Sequence, residues 1–333
     1  MNKILKCYLS GEVLTEENRS TEHIIHHFLG GKLKSPAIMN DYWNKKFSGT
    51  VDKELSNQIL LGDTIPIKRD GPKKKRLIVK DLENNNEKFY LNTDRTMTSL
   101  PKNPNQKDES GNQIYQFTEE QYIEYVKSQK KKNPNITDEE INSWTIKEEV
   151  RDFDRKVVPS NPNTGLGPID GIDAFRAIAK IAANFLMIKT KNPELLSSEI
   201  VNFIKGNLRE NNCSYYCYQF ERSELGIESD ETSHILKVMS DIKNKKLMCY
   251  IEIFNVHNFL VFLNSEYDGE YLEFDYQINP LNRKETERKL PVNCSKIEYE
   301  NLTNTSISFP LTKYDDRFLA FTNANNLKPC INK

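Results

Sequence analysis

Three of the chain's five histidines fall between Cys7 and Leu55, in company that gives them chemical meaning. Glu22 directly precedes His23, and His26-His27 follow in the same short run. A Gly30-Gly31 pair comes next, then Asn44-Lys45-Lys46-Phe47 with Gly49 close behind. An imidazole that titrates near neutral pH can take a proton from water. A carboxylate and an amide oxygen can hold a hard divalent cation while the rest of its shell stays open. A Glu–His pair alone is ordinary surface polarity, so the case rests on the setting around it.

That setting is a set of short elements. Residues 1–12 alternate loosely and predict a ribbon with a turn near Ser10-Gly11. Glu22 to Phe28 reads as a strand entering a loop that Gly30-Gly31 breaks. Adjacent residues on an extended strand point to opposite faces, so Glu22 and His23 can serve one site only if a bend or a facing helix joins them. Met39, Tyr42, Trp43, Phe47, Val51, Leu55 and Ile59 are spaced as on a helix, with an interruption at Ser48-Gly49.

Glu22-His23-Ile24-Ile25, Leu29-Gly30-Gly31, Asn44-Lys45-Lys46-Phe47, Gly49 and Asp52 together resemble the HNH endonuclease family. The nearest pattern is the branch reading EHIIP, LGG, CxxCN, FG and ID. The match spans about residues 7–59, under a fifth of the chain. The resemblance implies a ββα-metal fold that cuts nucleic-acid phosphodiesters, DNA in the first instance. His23 matches the general base, Glu22 the acidic metal ligand, and Asn44 the last metal-site position. His26 and His27 are additional candidates for a ligand or a phosphate contact, and His26 stands where proline is usual. The implied cofactor is Mg²⁺ or Mn²⁺. Asp52 reads as a brace for its helix. Family members built this way are bacterial or phage-related standalone nucleases, which would suggest phage defence.

The chain departs from the family in its cysteines. Where four would hold a structural zinc, it has Cys7-Tyr-Leu-Ser10 and Asn40-Asp-Tyr-Trp43, so only Cys7 remains and structural zinc is not expected. Tyr42, Trp43 and Phe47 are the candidate apolar replacement. Pro36-Ala37 stands about where the middle Asn would be sought. The alternative function is therefore a catalytically impaired HNH-derived module that binds nucleic acid or a partner.

Nucleic-acid contacts are assigned to Lys45, Lys46, Lys73, Lys74, Lys75 and Arg76. A solvated charged face explains lysines in such a chain equally well. Cys213 and Cys217, four apart as on one helix face, read as buried thiols, and His234 and His257 as structural. No P-loop, GxGxxG or GxSxG sequence is present.

The 333 residues carry a net charge of -1, so any basic face must be local. Six scattered cysteines without a CxxC pair, and no secretory leader pattern, lead to the expectation of a cytoplasmic, reduced protein. No apolar run has the length of a membrane span, so no membrane partner is expected. A protein partner or homo-oligomer is not specified.

The fold class expected is α+β: an N-terminal ββα-metal, HNH-like module followed by a larger mixed α+β region. The division is 1–60 for the module, 61–157 for a mixed connecting region, and 158–333 for a C-terminal domain of recognition or regulation. Strands are expected at Arg76–Val79 and Lys88–Leu91, with turns at Asp70-Gly71-Pro72 and Asn84–Asn86. Capping boxes at Thr118–Gln121 and Thr137–Glu140 predict two helix starts. Pro- and Gly-rich residues 158–171 form the linker. A buried helix should cover 172–189, and a second 193–205. Met248–Ile253 and Phe259–Leu263 should form a hairpin around Asn255–Asn258, with Tyr271–Tyr276 as a further strand.

Overall fold

A computed structural model describes residues 4–59, 65, 67–69, 77–81, 88–91, 97–99, 111, 119–142, 157–159, 169–227, 231–286, 288–304 and 310–325. Lys73, Lys74, Lys75 and Arg76 lie outside the described residues. So do Thr118, most of the 158–171 linker, and the turns at 70–72 and 84–86. The architecture is mixed α+β. Among the described residues no helix is long and apolar enough to cross a membrane.

Residues 1–73 and 163–333 form one compact unit, and 74–162 a second. The sequence reading set its boundaries at 60 and 157. In the structure, the flanks on either side of the middle segment share one apolar core.

The larger unit opens with a ribbon turn at residues 7–11, closed by the Cys7 N–H donating to the Glu12 carbonyl at 2.8 Å. Strand β1 (Glu22–His23) pairs antiparallel with β2 (Lys34–Ser35). The strand expected over Glu22–Phe28 is only two residues long. Beyond it a 3-10 turn at His27–Leu29 takes over, because the N–H groups of Leu29 and Gly31 both turn back to the His26 carbonyl. Helices α1 (Asp41–Gly49) and α2 (Val51–Gln58) follow, broken at Thr50 beside the expected Ser48-Gly49 interruption.

Helix α5 (Ile172–Thr190) comes later in the chain, after α3 (Glu119–Lys132) and α4 (Asp138–Asn142) of the second unit, and is the centre of the core. Its run of Ala, Ile, Phe and Leu is apolar nearly all round, the pattern of a helix covered on several sides. Helix α6 (Ser198–Lys205) is capped by Ser197 and ends at Gly206, which adopts φ 85°. The helix expected from 193 is a 3-10 turn at Pro193–Leu195 and then α6.

Six strands form the main sheet: β7 (Ser214–Tyr216), β8 (His234–Asp241), β9 (Lys246–Ile253), β10 (His257–Asn264), β11 (Glu273–Asn279) and β12 (Lys284–Thr286). Their order is β12-β11-β8-β9-β10-β7, every pair antiparallel. The two-residue strand period splits β9 between two cores. Leu247, Cys249 and Ile251 face the core that contains α5, while Met248 and Tyr250 face a second cluster with Phe220 and Leu225. Burial on both faces explains why this strand reads as an unbroken apolar run. The β9–β10 turn has Phe254 and Asn255 at φ 58° and 57°, a tight hairpin of the primed kind. His257 and Asn258, expected in the turn, already belong to β10. Cys213 and Cys217 flank β7 rather than sharing a helix face, and burial pushes both thiols up to about 12. Helix α7 (Leu311–Ala324) ends the described chain.

The second unit holds a four-stranded antiparallel sheet ordered β5-β4-β3-β6. Its strands are β3 (Leu77–Asp81), β4 (Lys88–Leu91), β5 (Met97–Ser99) and β6 (Val157–Pro159). It also holds α3 (Glu119–Lys132) and α4 (Asp138–Asn142). At α4 the capping box is formed: the Thr137 N–H donates to the Glu140 carboxylate and the Glu140 N–H to the Thr137 hydroxyl.

Candidate functional site

Helix α1 is set in place by its first residues. The Trp43 N–H donates to the Asn40 side chain at 3.1 Å, and the Asn40 amide donates to Glu12 at 2.6 Å, tying the helix start to the N-terminal ribbon. Trp43 and Phe47 then point into the core with Cys7, Tyr8 and Met39. An apolar core therefore surrounds the start of α1. Tyr42 is not part of it: its ring is 65% exposed.

Strand β1, the loop after it and helices α1 and α2 line an open pocket of about 320 Å³. Its lining includes Glu22, His23, His26, His27, Asn44 and Asp52, together with Ser48 and Lys53. The sequence-derived candidates Glu22, His23, His26, His27 and Asn44 thus meet in one place. Glu22 and His23 both reach it because the strand ends immediately after them. The His23 and His27 rings are 6.0 Å apart. The Asn44 amide donates to the Ser20 hydroxyl at 2.6 Å. Lys45 and Lys46 do not line the pocket. Lys45 pairs with Asp41 at 2.5 Å, and Lys46 lies over the Trp43 ring at 4.6 Å.

The floor of the pocket is a buried charge network. The Lys180 ammonium, with no solvent exposure, lies 2.7 Å from Glu22 Oε1, 2.7 Å from Asp52 Oδ2 and 2.9 Å from Asp52 Oδ1. His26 Nε2 is 3.3 Å from Asp52 Oδ1. The Asn184 amide donates to Glu22 Oε1 at 3.4 Å and accepts from the Tyr8 hydroxyl at 2.9 Å. Burial raises the Glu22 carboxyl above its ordinary value against the opposing pull of Lys180. Asp52 moves the other way: burial raises it, but the neighbouring His26 and Lys180 outweigh burial and hold it low. Burial drives His26 down to about 4, so at neutral pH the positive charge beside Asp52 is that of Lys180.

The ligand atoms of Glu22, His26 and Asp52 all lie within 4.8 Å of one another. Oxygen ligands on opposite sides of a divalent ion are separated by roughly 4–5 Å, so two carboxylates and an imidazole at this spacing could hold such an ion, with the rest of its shell supplied by other ligands. Asp52 thus stands in the ligand-spaced group, not only as a brace for α2.

The sequence reading did not assign Lys180 or Asn184 to the site. One signal was available. In the buried run from Ala177 to Met187 these are the only polar side chains, four apart and so on one helix face. A lysine in such a run needs a buried partner of opposite charge.

The loop carrying the histidines is anchored to the main sheet. The Phe254 N–H donates to His234 Nδ1 at 3.0 Å, which leaves Nε2 as the protonated nitrogen, donating to the Leu29 carbonyl at 2.8 Å. The expected structural role of His234 is therefore realised in holding this loop. No protein-family model, curated protein or solved structure matches the chain.

Proposed function

We propose that the protein is a divalent-metal-dependent endonuclease of HNH type, acting on phosphodiester bonds of nucleic acid, DNA in the first instance. The observation that carries this reading is the convergence of Glu22, His23 and Asn44 with His26, His27 and Asp52 in one pocket lined by β1, the loop after it and helices α1 and α2. Glu22 is common to the ligand set the resemblance implies and to the set the geometry brings within ligand spacing. A bound divalent ion would neutralise charge developing on the phosphate and polarise the attacked centre.

The chain's own side chains have distinct parts in this scheme. His23, partly buried in the pocket wall, is the residue placed to accept the proton of the attacking water through a ring nitrogen. Asp52 and Glu22 would supply negative charge to a bound ion, and His26 would offer a nitrogen lone pair. Lys53 contributes a positive charge to the wall that receives the phosphate.

A second reading has its own support: an HNH-derived module that binds nucleic acid without cutting it. The ammonium of Lys180 already lies against both carboxylates, so a cation is present before any metal arrives. Supercoiled-plasmid cleavage in Mg²⁺ or Mn²⁺ separates the two. The nuclease reading expects nicking by the wild type and a loss of about 10²–10⁴-fold in His23→Ala. Equal cleavage by both proteins, or none by the wild type with either ion, overturns it.

A further inference from the structure

We propose that Lys180 is a tethered counter-cation of the pocket, which keeps Glu22 and Asp52 at ligand spacing and weakens their hold on a divalent ion. The inference rests on reading this pocket as a metal-using site and names what limits ion binding there.

Three observations carry it. First, the ammonium sits against both carboxylates, with 2.7 Å to each, the place a cation shared by them would take. Second, the lysine cannot withdraw into solvent. It projects from the middle of α5, where the side chain has no exposure and its Nζ lies 5.3 Å from the centre of the Phe47 ring. An ion entering from the open side therefore meets a fixed positive charge behind its ligands. Third, an ammonium held against both carboxylates offsets part of the negative charge they present to an entering ion. Fewer negative charges around the same ligand atoms mean a weaker site for a hard cation.

Lys180 is in this sense a positioning residue. It also keeps two like charges together while no ion is bound, since their repulsion would otherwise spread the ligand atoms apart. Asn184, one turn further along α5, fixes Glu22 Oε1 from the same side. The ligand set thus draws its geometry from a helix more than a hundred residues away in the chain.

The test is Mn²⁺ binding to the full chain, without nucleic acid, by titration calorimetry and by thermal shift. It compares wild type, Lys180→Met and Lys180→Arg. The methionine variant keeps bulk and removes charge. It is expected to melt below the wild type in chelator, to bind Mn²⁺ at least about tenfold more tightly, and to gain more thermal stability from the ion. The arginine variant keeps the charge and should retain the wild-type affinity. A folded Lys180→Met protein that binds Mn²⁺ no more tightly than the wild type overturns the proposal, because loss of packing alone would not raise affinity.

If Lys180→Met does not fold in chelator, Mn²⁺ should restore it. The double variant Glu22→Gln/Lys180→Met, which restores the charge balance, should fold without the ion. Failure of both rescues assigns Lys180 a packing role and also overturns the proposal. Since no arm measures cleavage, a protein that cuts nothing refutes the nuclease reading and leaves this inference standing or falling separately.

Discussion

Asp52 shows how one carboxylate can hold several elements together. It lies in the first turn of α2, accepts from Lys180 of α5, and lies beside His26 from the loop after β1. Replacing it by Asn keeps size but removes one of the two charges that compensate a fully buried ammonium. Breaking one side of a buried ion pair costs roughly 3–5 kcal/mol. Glu22 remains as a partner, so Asp52→Asn is expected near the lower end, about 2–3 kcal/mol. Urea denaturation of the full chain measures it, and a change under about 0.5 kcal/mol would mean that Lys180 does not depend on Asp52. Types and order made Glu22, His23 and Asn44 legible as candidates. The burial that determines what they can do was not legible, because the charge at its centre, Lys180, is distant in sequence. A lone lysine within an alanine- and isoleucine-rich run was the one local mark of that network.

At the scale of elements, the Gly30-Gly31 pair does more than end a strand. Gly30 takes φ 85°, the left-handed region that suits glycine. At Gly31 the constraint is close approach: a Cβ there would lie 1.9 Å from the Ile25 carbonyl oxygen. The loop that carries His26 and His27 closes on itself at this point. Gly31→Ala must push the two backbone strands apart and loosen the bond from the Gly31 N–H to the His26 carbonyl. A loss of about 2–4 kcal/mol is expected, of the size seen when backbone strain is introduced into a packed site. Faster amide exchange should be confined first to residues 24–34, and a Gly31→Ala protein as stable as the wild type would show that the loop can relax. Elements with strong local signals were readable from the chain: α5 from its apolar run, the end of α6 at residue 205, and the β9–β10 hairpin, while the start of α6 was set at 193 instead of Ser198. The strand after Glu22 was overextended because Ile24, Ile25 and Phe28 resemble strand residues. Their fate is decided by a turn and by a sheet histidine far along the sequence.

For the molecule as a whole, buried neutral histidines link stability to pH. Burial holds His234 down at about 4 and His257 at about 3, against an ordinary value of about 6.5. As pH falls below about 6.5 the unfolded chain takes up protons that the folded chain refuses, so stability is lost between about 6.5 and 4. Each such histidine adds a slope of up to about 1.4 kcal/mol per pH unit. His257→Phe, whose side chain sits beside the Tyr314 ring, should flatten the stability curve by about one proton over that window. Denaturant unfolding at pH 7, 5.5 and 4.5 reads the difference, and parallel curves would contradict it. A second consequence concerns independence. The family resemblance covers a stretch that would stand alone as a small module, yet its buried polar groups are completed from outside it. Tyr8 bonds to Asn184, Glu22 and Asp52 to Lys180, and Leu29 to His234. Its apolar residues Cys7, Ile25, Phe47 and Leu55 belong to the same core as α5. Excising residues 1–59 would expose that face and leave two carboxylates without their counter-charge, in a piece too small to rely on its own core. The fragment is expected to lack stable helical circular dichroism and to be cut rapidly by protease, whereas the full chain protects the same region. A fragment 1–59 with a cooperative melt would show instead that the pocket's ligand geometry is built locally, without the lysine beneath it.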